Sequence, residues 1–230
     1  MNEPTKNNPG RMSELHLAAV DGDLDRVKEF IEQDADAANA LNIDNQPPLF
    51  SILYRGGLES PEKIAAREEA FNLLWDATSP AIRTSQDKQG NTVLQLMAVY
   101  GFDELASKVL KEAPGLASRY MKTSGEYPIH TAILNGRLGV AEVLFNADAE
   151  TANRKTFKLC TPLHYAARYG SQAMVELCCE HQKNNLNALN REGKTPLALA
   201  NSTEIQDYLI TQGADETLVD LRASTMRREF

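Results

Sequence analysis

The sequence lacks any apolar run able to cross a bilayer. Nothing in its 230 residues approaches the ~18 uncharged positions that a spanning helix needs. Its opening, MNEPTKNNPGR, also lacks the apolar stretch of a cleaved secretory signal, so the expected location is the cytoplasm. Cysteine is scarce. Cys160, Cys178 and Cys179 are too few and too unevenly spaced for a disulfide framework, which fits a reducing compartment. Positive charge is short as well: 24 Lys and Arg against 32 Asp and Glu leave a formal charge of -8. That excess repels a phosphate backbone, so nucleic acid is not the expected partner. The tail LRASTMRREF is locally basic, but three arginines there read as solvated charge.

Catalytic signatures are missing too. There is no phosphate loop, no dinucleotide fingerprint and no Ser-His-Asp order with a sharp nucleophile turn, and no cofactor is expected. Glu68 and Glu69 are adjacent on a helix and point in different directions, as on a solvated face.

What the sequence does contain is a core and a period. Its 42% hydrophobic content supports a folded chain. The segments SELHLAAVDG, PPLFSILYRG, TVLQLMAVYG, YPIHTAILNG, CTPLHYAARYG and TPLALANSTE align on Leu15, Leu49, Leu94, Ile129, Leu163 and Leu197, with spacings of 34, 45, 35, 34 and 34. Seven residues further on stand Gly22, Gly56, Gly101, Gly136 and Gly170, and the last copy has Glu204 instead. Each unit predicts a helical hairpin. Thr161-Pro162 and Thr195-Pro196 supply an N-cap oxygen and a proline fitted to the first helical position. Small residues such as Ala18-Ala19 and Ala166-Ala167 let a second helix lie close, and the glycine is expected to permit the reversal. Apolar residues then recur at helical spacing, as in Leu24, Val27, Phe30 and Ile31.

These residues resemble the ankyrin-repeat family, whose unit of about 33 residues opens its first helix with T-P-L-H-x-A. Thr161 to Ala166 matches that signature in full, and Tyr127 to Ala132 and Ser13 to Ala18 match it with substitutions. The resemblance implies an all-α solenoid of about six stacked hairpins over residues 12–215, with repeats near 12–41, 42–86, 87–121, 122–155, 156–189 and 190–215. Residues 1–11 are expected to be disordered, and 216–230 to extend the terminal cap or hang free. The long second spacing holds about eleven extra residues, and SPEKIAAREEAFNLLWDATSP predicts a lengthened helix over about Pro61 to Asp76 with Trp75 in the core.

The pair Cys160 and His164 raises the possibility of a thiol nucleophile with its base. The repeat offers a simpler reading. His16, His130 and His164 recur at one position, where the family resemblance implies a hydrogen-bonding role at the start of the hairpin. Cys178 and Cys179, with His181 nearby, suggest a metal, but in register both cysteines fall on the positions of Phe30-Ile31 and Leu144-Phe145, which are expected to face the core, and no metal site is expected.

The resemblance implies that a protein partner meets the concave face, built from the turn tips and the residues just ahead of each glycine. Carried over, these are Val20 and Asp21, Tyr54 and Arg55, Val99 and Tyr100, Leu134 and Asn135, and Arg168 and Tyr169. In the turn TFKLC, Leu159 replaces the glycine supplied elsewhere by Gly90, Gly125 and Gly193, so Phe157 is expected at the groove edge beside Lys158. The expected function is a monomeric, non-enzymatic adaptor that binds a protein. Two competing readings are a bacterial effector that mimics a host adaptor and a small thiol-dependent enzyme.

Overall fold

The computed structural model describes residues 12–54, 60–181 and 185–218, whose regular structure is all helix, with no strand among the described residues. The expectations for residues 1–11 and for the tail beyond 218, together with Arg55 and Gly56, lie outside the described residues. The chain divides into two units, residues 1–100 and 101–230. The first holds α1 (Glu14–Asp21), α2 (Leu24–Gln33), α3 (Pro48–Ser51), α4 (Pro61–Ala77), α5 (Pro80–Arg83) and α6 (Val93–Tyr100). The second holds α7 (Asp103–Glu112), α8 (Pro128–Leu134), α9 (Leu138–Ala147), α10 (Pro162–Tyr169), α11 (Gln172–His181), α12 (Pro196–Leu199) and α13 (Thr203–Thr211). No helix among the described residues is long and apolar enough to cross a membrane.

The aligned apolar positions Leu15, Leu49, Leu94, Ile129, Leu163 and Leu197 are all buried. Ala18, Ala19, Ala166 and Ala167 are fully covered, as close helix packing demands. The lengthened helix is present as α4, where Ser60 Oγ accepts the Lys63 N–H and Phe71 stacks on the buried Trp75 with centroids 5.9 Å apart.

Sequence reasoning gave Arg67 of α4 no role, yet it is among the most buried side chains of the first unit. One guanidinium nitrogen donates to the carbonyls of Ile52 (2.8 Å), Val20 (3.2 Å) and Ala19 (3.4 Å). These carbonyls close α1 and α3, where helix ends leave acceptors without internal partners and carry partial negative charge. Gly22 has φ +65, and a Cβ there would stand 3.1 Å from the guanidinium, so the glycine serves both the turn and this close approach.

Gly170 corrects the expectation for the fifth copy. Its φ of -81 and ψ of 171 are extended backbone, so no left-handed turn requires glycine. The reason is steric: a Cβ at this position would meet the Ala166 carbonyl oxygen at 2.6 Å.

Neighbouring copies are stitched together through the repeated histidine. At His164, the Thr161 backbone N–H donates to Nδ1 at 3.1 Å; an N–H can only donate, so the proton sits on Nε2, which donates to the Lys194 carbonyl at 3.1 Å. His130 does the same with Tyr127 and the Cys160 carbonyl (3.3 and 3.2 Å), and His16 with Ser13 and the Gln46 carbonyl (3.3 and 3.0 Å). Each ring thus reaches a carbonyl 30 residues on, in the next copy. In the third copy Gln95 Oε1 accepts the Thr92 N–H at 2.7 Å, replacing the imidazole acceptor with an amide that does not titrate. The turn tips join as well, through Lys88 N–H to the Asp44 carbonyl in the first unit and through Phe157 N–H to Ser124 and Arg191 N–H to Lys158 in the second.

Burial holds the His130 pKa down at about 3 and the His164 pKa at about 4, against 6.5 for a free ring. Between these values the unfolded chain takes up protons that the folded rings refuse. Stability is therefore fully present above pH 6.5 and falls as the pH drops toward 4, each ring contributing on the order of a few kcal/mol. His130→Gln, which borrows the side chain of the third copy, should flatten this slope. Urea unfolding at pH 7 and pH 5 measures it, and an unaltered slope would contradict a buried neutral ring.

Candidate partner-binding surface

The first helix of each copy turns its apolar stripe to the core, so the residues just before the glycine end up at its last, solvent-facing turn. The expected contact residues fall into separate settings. In the first unit, Tyr54, Val99 and Tyr100 line a cleft of about 500 Å³ with Asn42, Gln46 and Gln89. The two tyrosine rings meet edge to face at 5.8 Å, and Gln46 Nε2 donates to both Tyr54 Oη and Asp87 Oδ2 at 2.8 Å. Burial raises both tyrosine pKa values. These rings are packed and partly covered at once. Asp21 is exposed and lies apart from that lining.

In the second unit the structure brings Lys158, Arg168 and Tyr169 together in a cleft of about 310 Å³. Tyr165, Arg191 and Glu192 complete its chemistry, and none of the three had been singled out from sequence. Register would have found two of them, because aligning Leu163 with Leu197 sets Arg191 on the position of Phe157 and Glu192 on that of Lys158. The Arg168 guanidinium lies 5.2 Å from the Tyr169 ring centre, and Tyr169 meets Tyr165 at 5.8 Å. Tyr165 donates its hydroxyl proton to Glu126 Oε1 at 2.6 Å, and burial first, then this bond, pushes its pKa upward. Tyr169 remains 50% exposed.

Phe157 stands beside this cleft at 47% exposure, its ring edge-on to that of exposed Tyr120 at 5.8 Å. Leu134 and Asn135 close α8 outside the cleft lining. Leu134 is exposed, while the Asn135 amide donates to the Thr131 carbonyl at 2.8 Å and so caps its own helix.

Comparison with known proteins places this geometry. A family model for ankyrin repeats in three copies matches residues 148–220. The chain also aligns over 87% of its length with the ankyrin repeat domain of Bcl-3, a member of the IkappaB family, at a TM-score of 0.58 and 19% identity, covering 99% of that chain. Residues 148–220 are ankyrin repeats, and the fold of the chain is the ankyrin-repeat fold. A second structural match is to a chain in the complex of the Bd0816 predatory endopeptidase from Bdellovibrio bacteriovorus with the immunity protein Bd3460, at a TM-score of 0.65 and 20% identity, covering 90% of this chain and 97% of that one. Among curated relatives, neurogenic locus notch homolog protein 1 of Xenopus laevis is 25% identical over 96% of this chain, and the ANK repeat-containing protein nipk-1 of Caenorhabditis elegans is 25% identical over 76%. The alignments span 9% and 33% of those two relatives' own lengths.

In this ankyrin-repeat fold the cysteines sit in the repeat framework. Both ring nitrogens of His164 are engaged within the framework, on Thr161 and Lys194, so the imidazole is not poised as a base for Cys160. The Cys160 thiol lies 3.8 Å from the Asn190 amide, and its backbone N–H donates to Thr156 Oγ1. Burial pushes its pKa up, that of Cys179 to about 11, and that of Cys178 well above the ordinary thiol value. His181 stacks on Phe145 with centroids 4.7 Å apart, and the described residues hold no cluster of three His, Cys, Asp or Glu suited to a metal. Alkylation by iodoacetamide at pH 7 should therefore be slower at all three cysteines than at free cysteine and should accelerate as the pH rises. A fast-labelling Cys160 at neutral pH would contradict this assignment.

Proposed function

We infer that this chain is a non-enzymatic cytoplasmic adaptor, acting as a monomer, that binds a partner protein through the residues ahead of each repeat glycine and the neighbouring turn tips. The observation that carries the reading is the exposure of large side chains where the fold has no use for them. Leu134, Phe157 and Tyr169 are 46%, 47% and 50% exposed on helix ends and turns. Tyrosine and arginine in such places supply large contact area with a polar handle. Support of a coarser kind comes from the Bd3460 structure, in which an immunity protein is held in a protein complex.

Affinity capture with the intact chain as bait, compared with a Leu134→Ser, Arg168→Ala, Tyr169→Ala triple variant, tests the surface. All three side chains are exposed, so far-UV dichroism should be unaltered by the substitutions. A partner recovered by the wild type should be lost by the variant; equal recovery would move the binding surface elsewhere.

A further inference from the structure

Leu159 is a rare kind of residue: an exposed apolar side chain in the left-handed backbone region, at φ +59. The matching turn tips use Gly90, Gly125 and Gly193, at φ +86, +73 and +76, and Asn45, a tolerated type there, at +63. Leucine is strained in this region, where glycine is not. Burial does not offset that strain, because Leu159 is 43% exposed. Beside it stand Phe157 and Tyr120, also exposed and in edge contact, so the tip presents an apolar surface.

Between the two apolar side chains of this turn lies Lys158, and its charge belongs to a local reversal of sign. In a chain of net charge -8, the adjoining cleft is lined by Lys158, Arg168 and Arg191 against Glu192, and Glu192 faces Lys194 at 3.7 Å. The platform is fixed, because the Arg191 N–H donates to the Lys158 carbonyl at 2.8 Å and locks the two tips side by side.

The geometry points to a docking site for an acidic peptide segment of a partner protein, with Asp or Glu side chains held by Lys158, Arg168 and Arg191 and a neighbouring apolar side chain seated on Leu159 and Phe157. This rests on the adaptor reading above and names the chemistry of the partner. The strained leucine is a contact residue rather than a folding residue. Complementary charge draws the carboxylates in, and the apolar tip discriminates among acidic sequences.

Two dye-labelled peptide pools of matched apolar composition, one carrying Glu and the other Lys at every charged position, test this by fluorescence anisotropy with the full chain. The Glu pool should bind and the Lys pool should not, and binding should weaken as salt is raised. Arg168→Glu with Arg191→Glu should weaken binding by about tenfold or more. Leu159→Gly should weaken it severalfold while leaving the melting temperature unchanged or higher, since it restores the residue the turn favours. Equal binding of both pools, no binding of the Glu pool, charge-reversed protein binding like wild type, or a lower melting temperature for Leu159→Gly would each overturn the proposal. If the triple variant above still loses a captured partner while Glu peptides fail to bind or to compete, the acidic-peptide inference falls and the adaptor reading stands.

Discussion

A helical hairpin of this length leaves two kinds of surface unfinished: an apolar side that it cannot cover and a turn-tip carbonyl that it cannot satisfy. Neighbouring copies supply both. His130 and His164 show how tightly the two needs are joined, since one imidazole nitrogen accepts the backbone N–H that opens its own helix while the other donates to the following copy. A charged ring cannot do this, because protonation would place a second donor against the opening N–H. The same demand for satisfied backbone groups accounts for Arg67, which closes the ends of two helices in the first unit.

Much of this could be read along the chain because it depends on local spacing. The buried aligned leucines, the Thr161 and Thr195 caps, the reach of α4 and the burial of Trp75, Cys178 and Cys179 follow from period and register. Arg67 was not legible, since an arginine on an exposed-looking helix gives no sign that folding will set it against the carbonyl ends of two others. Gly170 was misassigned in role for a similar reason: a glycine required by a neighbouring carbonyl and one required by a left-handed turn look alike in sequence.

For the candidate surface, the sequence pointed to Lys158, Arg168 and Tyr169; register sets Arg191 and Glu192 on the positions of Phe157 and Lys158, whereas Tyr165 carried no such signal. Tyr54 and Tyr100 show the opposite limit, since their edge-to-face contact and the Gln46 bond make them packing residues as well as surface ones. Leu159 is the informative exception. Where every local preference asks for glycine, the chain keeps an exposed leucine, and departures of this kind mark places shaped by something other than folding.

The central claim is that a helix pair is incomplete without its neighbour, and hydrogen exchange across α10 and α11 tests it most directly when the chain is compared with a version ending at residue 189. Without the Lys194 carbonyl and the buried face of α12 and α13, amide protection in α10 and α11 should fall by about tenfold or more. Protection that stays the same would mean that the pair stands on its own, and the account would be wrong.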